Sequence, residues 1–292
     1  MRSLHDIAVK EGRDELTDYT IYSELAKAES DSRLKGVFSR IAKMENGHFH
    51  FWKKHSGGEG VSPNRIKVEF VLLMRRLFGP SFIIKYLEGS EASAQKRYES
   101  LRSLIPKYDK KAFERIIKDE EEHEQTFANE IQTGYVKYVS FVVLGLADAL
   151  VEIAGIHAGS LGIYNSTFLT GLAGIVAGAA ASLSMASAAF AQAKQGFSGS
   201  AKVAAGYTGV SYFIGAVILA SPYFVTHDPV AAIISSLVLG TLMVAFVSWY
   251  NSIMSGSNLT RDFLEIVGVM LGATLVLFAL GFVIRHVFGI SI

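Results

Sequence analysis

Two short stretches could do metal chemistry: MENGHFH, with Glu45 and His48, and DEEEHE, with Glu120 and His123. In each, a carboxylate and an imidazole stand three residues apart. On a helix both project from one face and can grip one cation. Glutamates recur at matched offsets. Glu15 precedes Tyr22 by seven residues and Glu91 precedes Tyr98 by seven; Glu15 to Glu45 is 30 residues and Glu91 to Glu120 is 29. A helix pair is thus repeated with its candidate ligands in register. One Glu from each of two helices and a Glu-x-x-His from each of the other two form the donor set of a carboxylate-bridged dinuclear centre inside a four-helix bundle. Glu88, one turn before Glu91 in LEGSE, is a further candidate ligand. Glu121, Glu122 and Glu124 read as a solvated charge run. His50 and His55 break the register and read as surface residues.

A second acidic pair lies in different surroundings. LADALVEIAG places Asp148 and Glu152 four residues apart, on one helix face, inside a long apolar run. An ionisable residue within a membrane span marks by default an ion path, a proton relay or a counter-ion. No Lys or Arg within the spans offers a partner, since Arg285 lies near the far end of the last one. The next apolar run, TGLAGIVAGAAASLSMASAAFAQA, is rich in Gly, Ala and Ser and carries Met185. Small residues let helix backbones approach closely, which predicts a span at the centre of the fold and away from lipid. Met185 serves either as a gap-filler or as a soft ligand. Carboxylates beside a thioether suit a divalent metal of intermediate softness. His157, near the outer end of the first span, is expected at the interface.

The elements that must position these residues divide sharply by charge. Of the Lys, Arg, Asp and Glu residues, 46 lie in Met1–Lys137 and nine in Tyr138–Ile292. Burying many charges in hydrocarbon is costly, so the first part, 1–134, reads as soluble and the second, 135–292, as membrane. Four long helices fit the first part: Leu4–Ala28, Ser32–His55, Ser81–Leu104 and Lys110–Gly134, with an apolar-rich stretch, Asn64–Phe78, before the third. Five runs in the second reach the roughly 20 residues a span requires: Val136–His157, Phe168–Ala193, Ala204–Val225, Val230–Met254 and Phe263–Phe288. The fold class is therefore all-α. Lys194, Lys202 and Arg261 fall in alternate loops, which predicts that those loops and the first domain are cytoplasmic and the C-terminus outside; Arg285 is the one dissenting charge. The N-terminus lacks an apolar signal region. A net charge of +1 with no basic stripe argues against nucleic-acid partners. With no cysteine, disulfides, thiol catalysis and c-type haem are excluded. After His123 the chain has no Pro and one Gly, Gly134, so the fourth helix is expected to lead almost directly into the first span.

These motifs carry a family resemblance. Asp14–Trp52 and Tyr86–Phe127 resemble the two halves of a rubrerythrin-type ferritin-like domain, whose di-iron ligand positions match Glu15, Glu45, His48, Glu91, Glu120 and His123, with Glu88 at its additional third-helix glutamate. Tyr135–Ile292 resembles the five-span vacuolar iron transporter family. LGLADALVEIAG matches its first-span motif, with Asp148 on the motif aspartate, and SLSMASAAF matches its second-span Ser-Met motif, with Met185 on the methionine. The combination is similar to the membrane-bound ferritins of bacteria and archaea. Two departures stand out. The Gly-Glu-Tyr that often follows Ser-Met is replaced by Ser187-Ala188-Ala189-Phe190. The glutamate-rich insertion that eukaryotic members carry between the second and third spans is only about Lys194–Lys202 here.

The resemblance implies a homodimeric integral membrane protein, in the plasma membrane of a bacterium or archaeon, that exports Fe²⁺, or Mn²⁺, from the cytoplasm against protons. It also implies a di-iron site (Fe²⁺/Fe³⁺) in a cytoplasmic bundle that captures, senses or oxidises iron. The alternative is a membrane-anchored di-iron ferroxidase or peroxidase. A third reading has the bundle binding zinc or iron only to hold its shape.

Overall fold

The structure, a computed structural model, describes residues 3–131 and 135–289; the side chains at 88, 90–96, 124, 127–131, 135 and 136 lie outside that description. The described residues form helices and no strand. The chain divides into two compact units, Met1–Val136 and Lys137–Ile292.

In the first unit, local chemistry sets the helix ends. α1 (Leu4–Ala28) opens with a capping box: the Ser3 hydroxyl accepts from the Asp6 N–H and the Asp6 carboxylate accepts from the Ser3 N–H. α2 (Ser32–His55) is capped by Asp31, which accepts from Arg33 and Leu34 N–H, and ends in Lys53, Lys54 and His55, favourable at a helix C-terminus. α3 (Arg65–Leu101) is longer than expected, because the apolar stretch after Asn64 is itself helical. Gly79 breaks it, with φ 81° and ψ 174°, a region that costs a side-chain-bearing residue about 1–3 kcal/mol. Pro80 then resumes the helix where its missing N–H does no harm. α4 (Lys110–Ile131) completes the unit. The expected continuation through Gln132, Thr133 and Gly134 lies outside the described residues.

α1 packs on α2 and α3, and α4 packs on the same two. Trp52, Tyr98 and Phe113 meet in one buried cluster with Ala8, Ile105, Ile116 and Ile117. Tilted and edge-on ring contacts of 5.8–5.9 Å join the three aromatics.

The second unit, after a 3₁₀ turn (Tyr135–Tyr138), holds α5 (Val139–Tyr164), α6 (Thr167–Ala193), α7 (Ala201–Val225), α8 (Pro229–Ser255) and α9 (Leu259–Phe288). All five are long and apolar enough to cross a membrane. Asn165, in the left-handed region (φ 50°), closes α5, and Asp228 caps α8 ahead of Pro229. α5 runs about two turns past the expected end at His157. Its GSLGIY segment reads as a break in sequence, but Gly159 and Gly162 instead let α9 approach. A Cβ on Gly281 would sit 2.2 Å from the Gly159 carbonyl oxygen, and one on Gly162 would sit 2.9 Å from that of Phe278.

That crossing makes a prediction. Backbone cannot yield as a side chain can, so Gly281→Ala must part α5 from α9. We expect a cost of about 1–3 kcal/mol, read as a lower thermal midpoint in detergent. Gly272→Ala on the same helix, with open space around it, should show no such drop.

One expectation is corrected. α5, not the small-residue helix α6, occupies the centre: it packs on α6, α7, α8 and α9, whereas α6 packs mainly on α7 and α5. Gly171, Gly174 and Gly178 do permit close approach, to Phe224, His157 and Ala216 respectively. They lie on one face only, and the opposite face, with Leu172, Val176 and Leu183, is exposed. Small residues set how closely a helix can pack, not on how many sides.

Candidate metal centre

Four acidic and imidazole side chains converge inside the first unit. One ligand atom from each of Glu15 (α1), Glu45 and His48 (α2) and Glu120 (α4) lies within 4.8 Å of the others, and all four residues are buried. His48 Nδ1 stands 3.3 Å from Glu120 Oε1, 3.4 Å from Glu45 Oε2 and 3.5 Å from Glu15 Oε2. His123, one turn along α4, is equally buried, and its Nδ1 stands 3.3 Å from Glu45 Oε1 and 3.7 Å from Glu120 Oε2. Glu45 and Glu120 therefore each turn one oxygen toward each histidine. The two rings are 6.0 Å apart.

The electrostatics of the cluster differ from those of an ordinary buried acid. Glu11, one turn earlier on α1, is buried too, but Arg97 neutralises it (Nε–Oε2 2.7 Å). Among the described residues, Glu15 and Glu45 pair with imidazoles and a tyrosine and form no ion pair with Lys or Arg; the charge of Arg97 reaches Glu15 only at longer range. Burial, reinforced by the Glu45 charge, holds the Glu15 carboxyl well above the usual range. For Glu45 burial pushes the same way, but hydrogen bonds with His123 and His48 outweigh it and leave it below that range. A proton shared by the pair thus rests on Glu15. Burial alone would depress His48, yet Asp119, Glu120, Glu15 and Glu45 together raise it well above its ordinary value.

A cation fits this set. Nitrogen and oxygen donors about 2.0–2.2 Å from an ion are separated by roughly 3.0–3.6 Å along the edges of a tetrahedron or octahedron. The spacings around His48 Nδ1 fall in that range, and that nitrogen has no well-formed hydrogen bond despite its burial. Carboxylate and imidazole donors suit Fe, Mn or Zn. Loading such an ion would expel the His48 and Glu15 protons.

Two supporting residues were not anticipated as part of the site. Asp119 Oδ2 lies 3.3 Å from His48 Nε2, so it orients the ring and leaves Nδ1 to face the carboxylates. The Tyr98 hydroxyl donates to Glu15 Oε1. Tyr98 was visible in sequence only as a marker of the repeat, and Asp119 only as part of an acidic run. Glu121 and Glu122 are exposed. The side chains of Glu88, Glu91 and Glu124 lie outside the described residues. His50 is exposed, but the His55 side chain is nearly buried, with Nε2 3.2 Å from Asp109.

Asp18, one turn after Glu15, gives a pH signature. Burial pushes its carboxyl up to about 6, although Lys67 Nζ, 2.7 Å away, opposes the shift. The folded chain thus holds this proton more tightly than the unfolded chain. The stability it contributes is fully present below about pH 4 and is lost as pH rises through 6. Asp18→Asn should raise the thermal midpoint at about pH 8 and leave it unchanged near pH 4, the gain being at most about 3 kcal/mol.

In the second unit, Asp148 is half-buried on α5, while Glu152 is exposed and accepts a hydrogen bond from Tyr212 of α7 at 2.6 Å. Met185 of α6 packs on the buried cluster that includes Tyr212, Ala149 and Ile153. No group of three His, Asp or Glu donors forms there among the described residues. His157 is not an interface residue. It is fully buried, stacked 4.5 Å from the Tyr223 ring, and its Nε2 occupies the space a Cβ on Gly174 would take. The longer α5 places it well inside the helix.

Fold and site together define an all-helical chain with five helices able to span a membrane and a buried Glu/His cluster able to hold a metal ion. No family model matches the chain, and no curated protein matches it.

Proposed function

We propose that the protein exports a divalent metal, Fe²⁺ or Mn²⁺, from the cytoplasm in exchange for protons. In this reading the first unit is a cytoplasmic ferritin-like bundle whose dinuclear centre captures, senses or oxidises iron. The observation that carries the reading is the sharing of Glu45 and Glu120 between two histidines. His48 and His123 would each hold one metal ion, Glu45 and Glu120 would serve both, and Glu15 would complete the His48 side. Glu91, at the matching repeat position, would complete the His123 side, with Glu88 beside it. When iron is bound, the centre supplies one-electron redox chemistry; the protein's own part is to hold the donors, exclude water and accept or release protons at Glu15 and His48.

The membrane unit supports transport over simple anchoring. An anchor needs neither five spans nor acids within them. Asp148 and Glu152 stand ten and fourteen residues into a 26-residue helix. A carboxylate there can release a proton as a cation binds and regain it as the cation leaves. Met185 adds a soft donor that discourages Mg²⁺ and Ca²⁺. Glu152 is exposed in the single chain, and a carboxylate facing hydrocarbon costs several kcal/mol. A second copy covering that face would remove the cost, which favours a homodimer with the path near its interface.

Flux into proteoliposomes tests the proposal. The wild type should carry Fe²⁺ or Mn²⁺ and move protons the opposite way. A protein that moves neither metal but consumes H₂O₂ in the presence of Fe²⁺ would instead be a membrane-anchored peroxidase.

A further inference from the structure

Arg285 is the charge that the loop pattern leaves unexplained, and in the structure it rims a cavity of about 440 Å³ between α5, α8 and α9. It lies in the last turn of α9 and is half-buried. No carboxylate among the described residues pairs with it. Phe282, Phe278 and Leu275 precede it by three, seven and ten residues and line the same cavity. One helix face therefore leads from the cation at the membrane boundary into hydrocarbon along an apolar stripe about 15 Å long. Ile233 and Leu237, one turn apart on α8, form the facing wall.

We infer that this groove binds one acyl chain of an anionic phospholipid, with the lipid phosphate held by Arg285. The shape and the charge select that occupant together. A guanidinium forks onto phosphate oxygens, and Arg285 stands at the end of a helix able to span a membrane, above a wall that carries the uncharged Asn165 and Thr274 among apolar side chains and no second charged residue. An apolar partner helix laid along the same stripe would cover Arg285 without bringing a counter-charge, which is costly, whereas an anionic lipid brings its own. A flexible hydrocarbon chain fits. The inference stands apart from the transport reading, since it uses neither the acid pair nor the buried cluster.

The test is native mass spectrometry of the full chain in detergent, titrated with phosphatidylglycerol or phosphatidylcholine of identical acyl chains. The wild type should favour phosphatidylglycerol about fivefold or more. Arg285→Gln should bring the two lipids level. Leu275→Trp, at an exposed position deep in the groove, should weaken both while leaving the thermal midpoint of the lipid-free protein in place. Equal binding of the two lipids by the wild type, or a preference that survives Arg285→Gln, would overturn the inference. So would efficient disulfide cross-linking of Leu275→Cys between copies in native membranes, since the chain has no other cysteine and the groove would then belong to a second copy.

Discussion

Asp148→Ala is expected to reduce Fe²⁺ flux through the reconstituted protein by about a hundredfold or more. Removing one charged partner from a poorly solvated site costs about 3–5 kcal/mol, which is roughly two to nearly four orders of magnitude in rate. Asp148→Asn should fail nearly as badly, because the amide keeps the volume and one oxygen but can neither carry the charge nor release the proton. Metal bound by the first unit should be unchanged in both variants. Tyr212→Phe offers a graded comparison. It removes the 2.6 Å hydrogen bond to Glu152 without removing a carboxylate, so its effect should be smaller. Flux that survives Asp148→Ala would remove Asp148 from the path.

Glu45→Ala is expected to empty the buried cluster entirely. Its two oxygens face different histidines, 3.4 Å from His48 Nδ1 and 3.3 Å from His123 Nδ1, so one substitution strips a donor from both of the proposed metal positions. Glu15→Ala makes the contrast, since Glu15 approaches His48 (3.5 Å) and, among the described residues, pairs with no second histidine. That variant should keep about one metal per chain and Glu45→Ala none, read by elemental analysis after anaerobic loading and desalting. Equal losses in the two variants would mean that Glu45 does not bridge.

Much of this site is visible in the sequence because its spacing is local. Glu45 with His48 and Glu120 with His123 are each three residues apart on one helix, and the 30- and 29-residue offsets carry that register to the other helix pair. The five described candidates, Glu15, Glu45, His48, Glu120 and His123, do converge. Asp119 and Tyr98 could not be recognised in the same way, because their roles depend on where one helix faces another. The Tyr212–Glu152 contact spans 60 residues and leaves no periodic trace. In the fold, the bounds of α1 and α2 follow from Ser3, Asp31 and the basic end of α2, all local signals. The end of α5 does not, because Gly159 and Gly162 look like breakers until α9 is seen against them. The same limit explains why the small residues of α6 suggested a central helix: composition records a close approach but not the exposed opposite face.

The most direct test of a shared two-metal centre is the metal content and magnetism of the full chain, loaded anaerobically with Fe²⁺ in detergent. About two irons per chain, magnetically coupled through bridging carboxylates, are expected. One iron or none per chain, or two irons with no coupling, would contradict it.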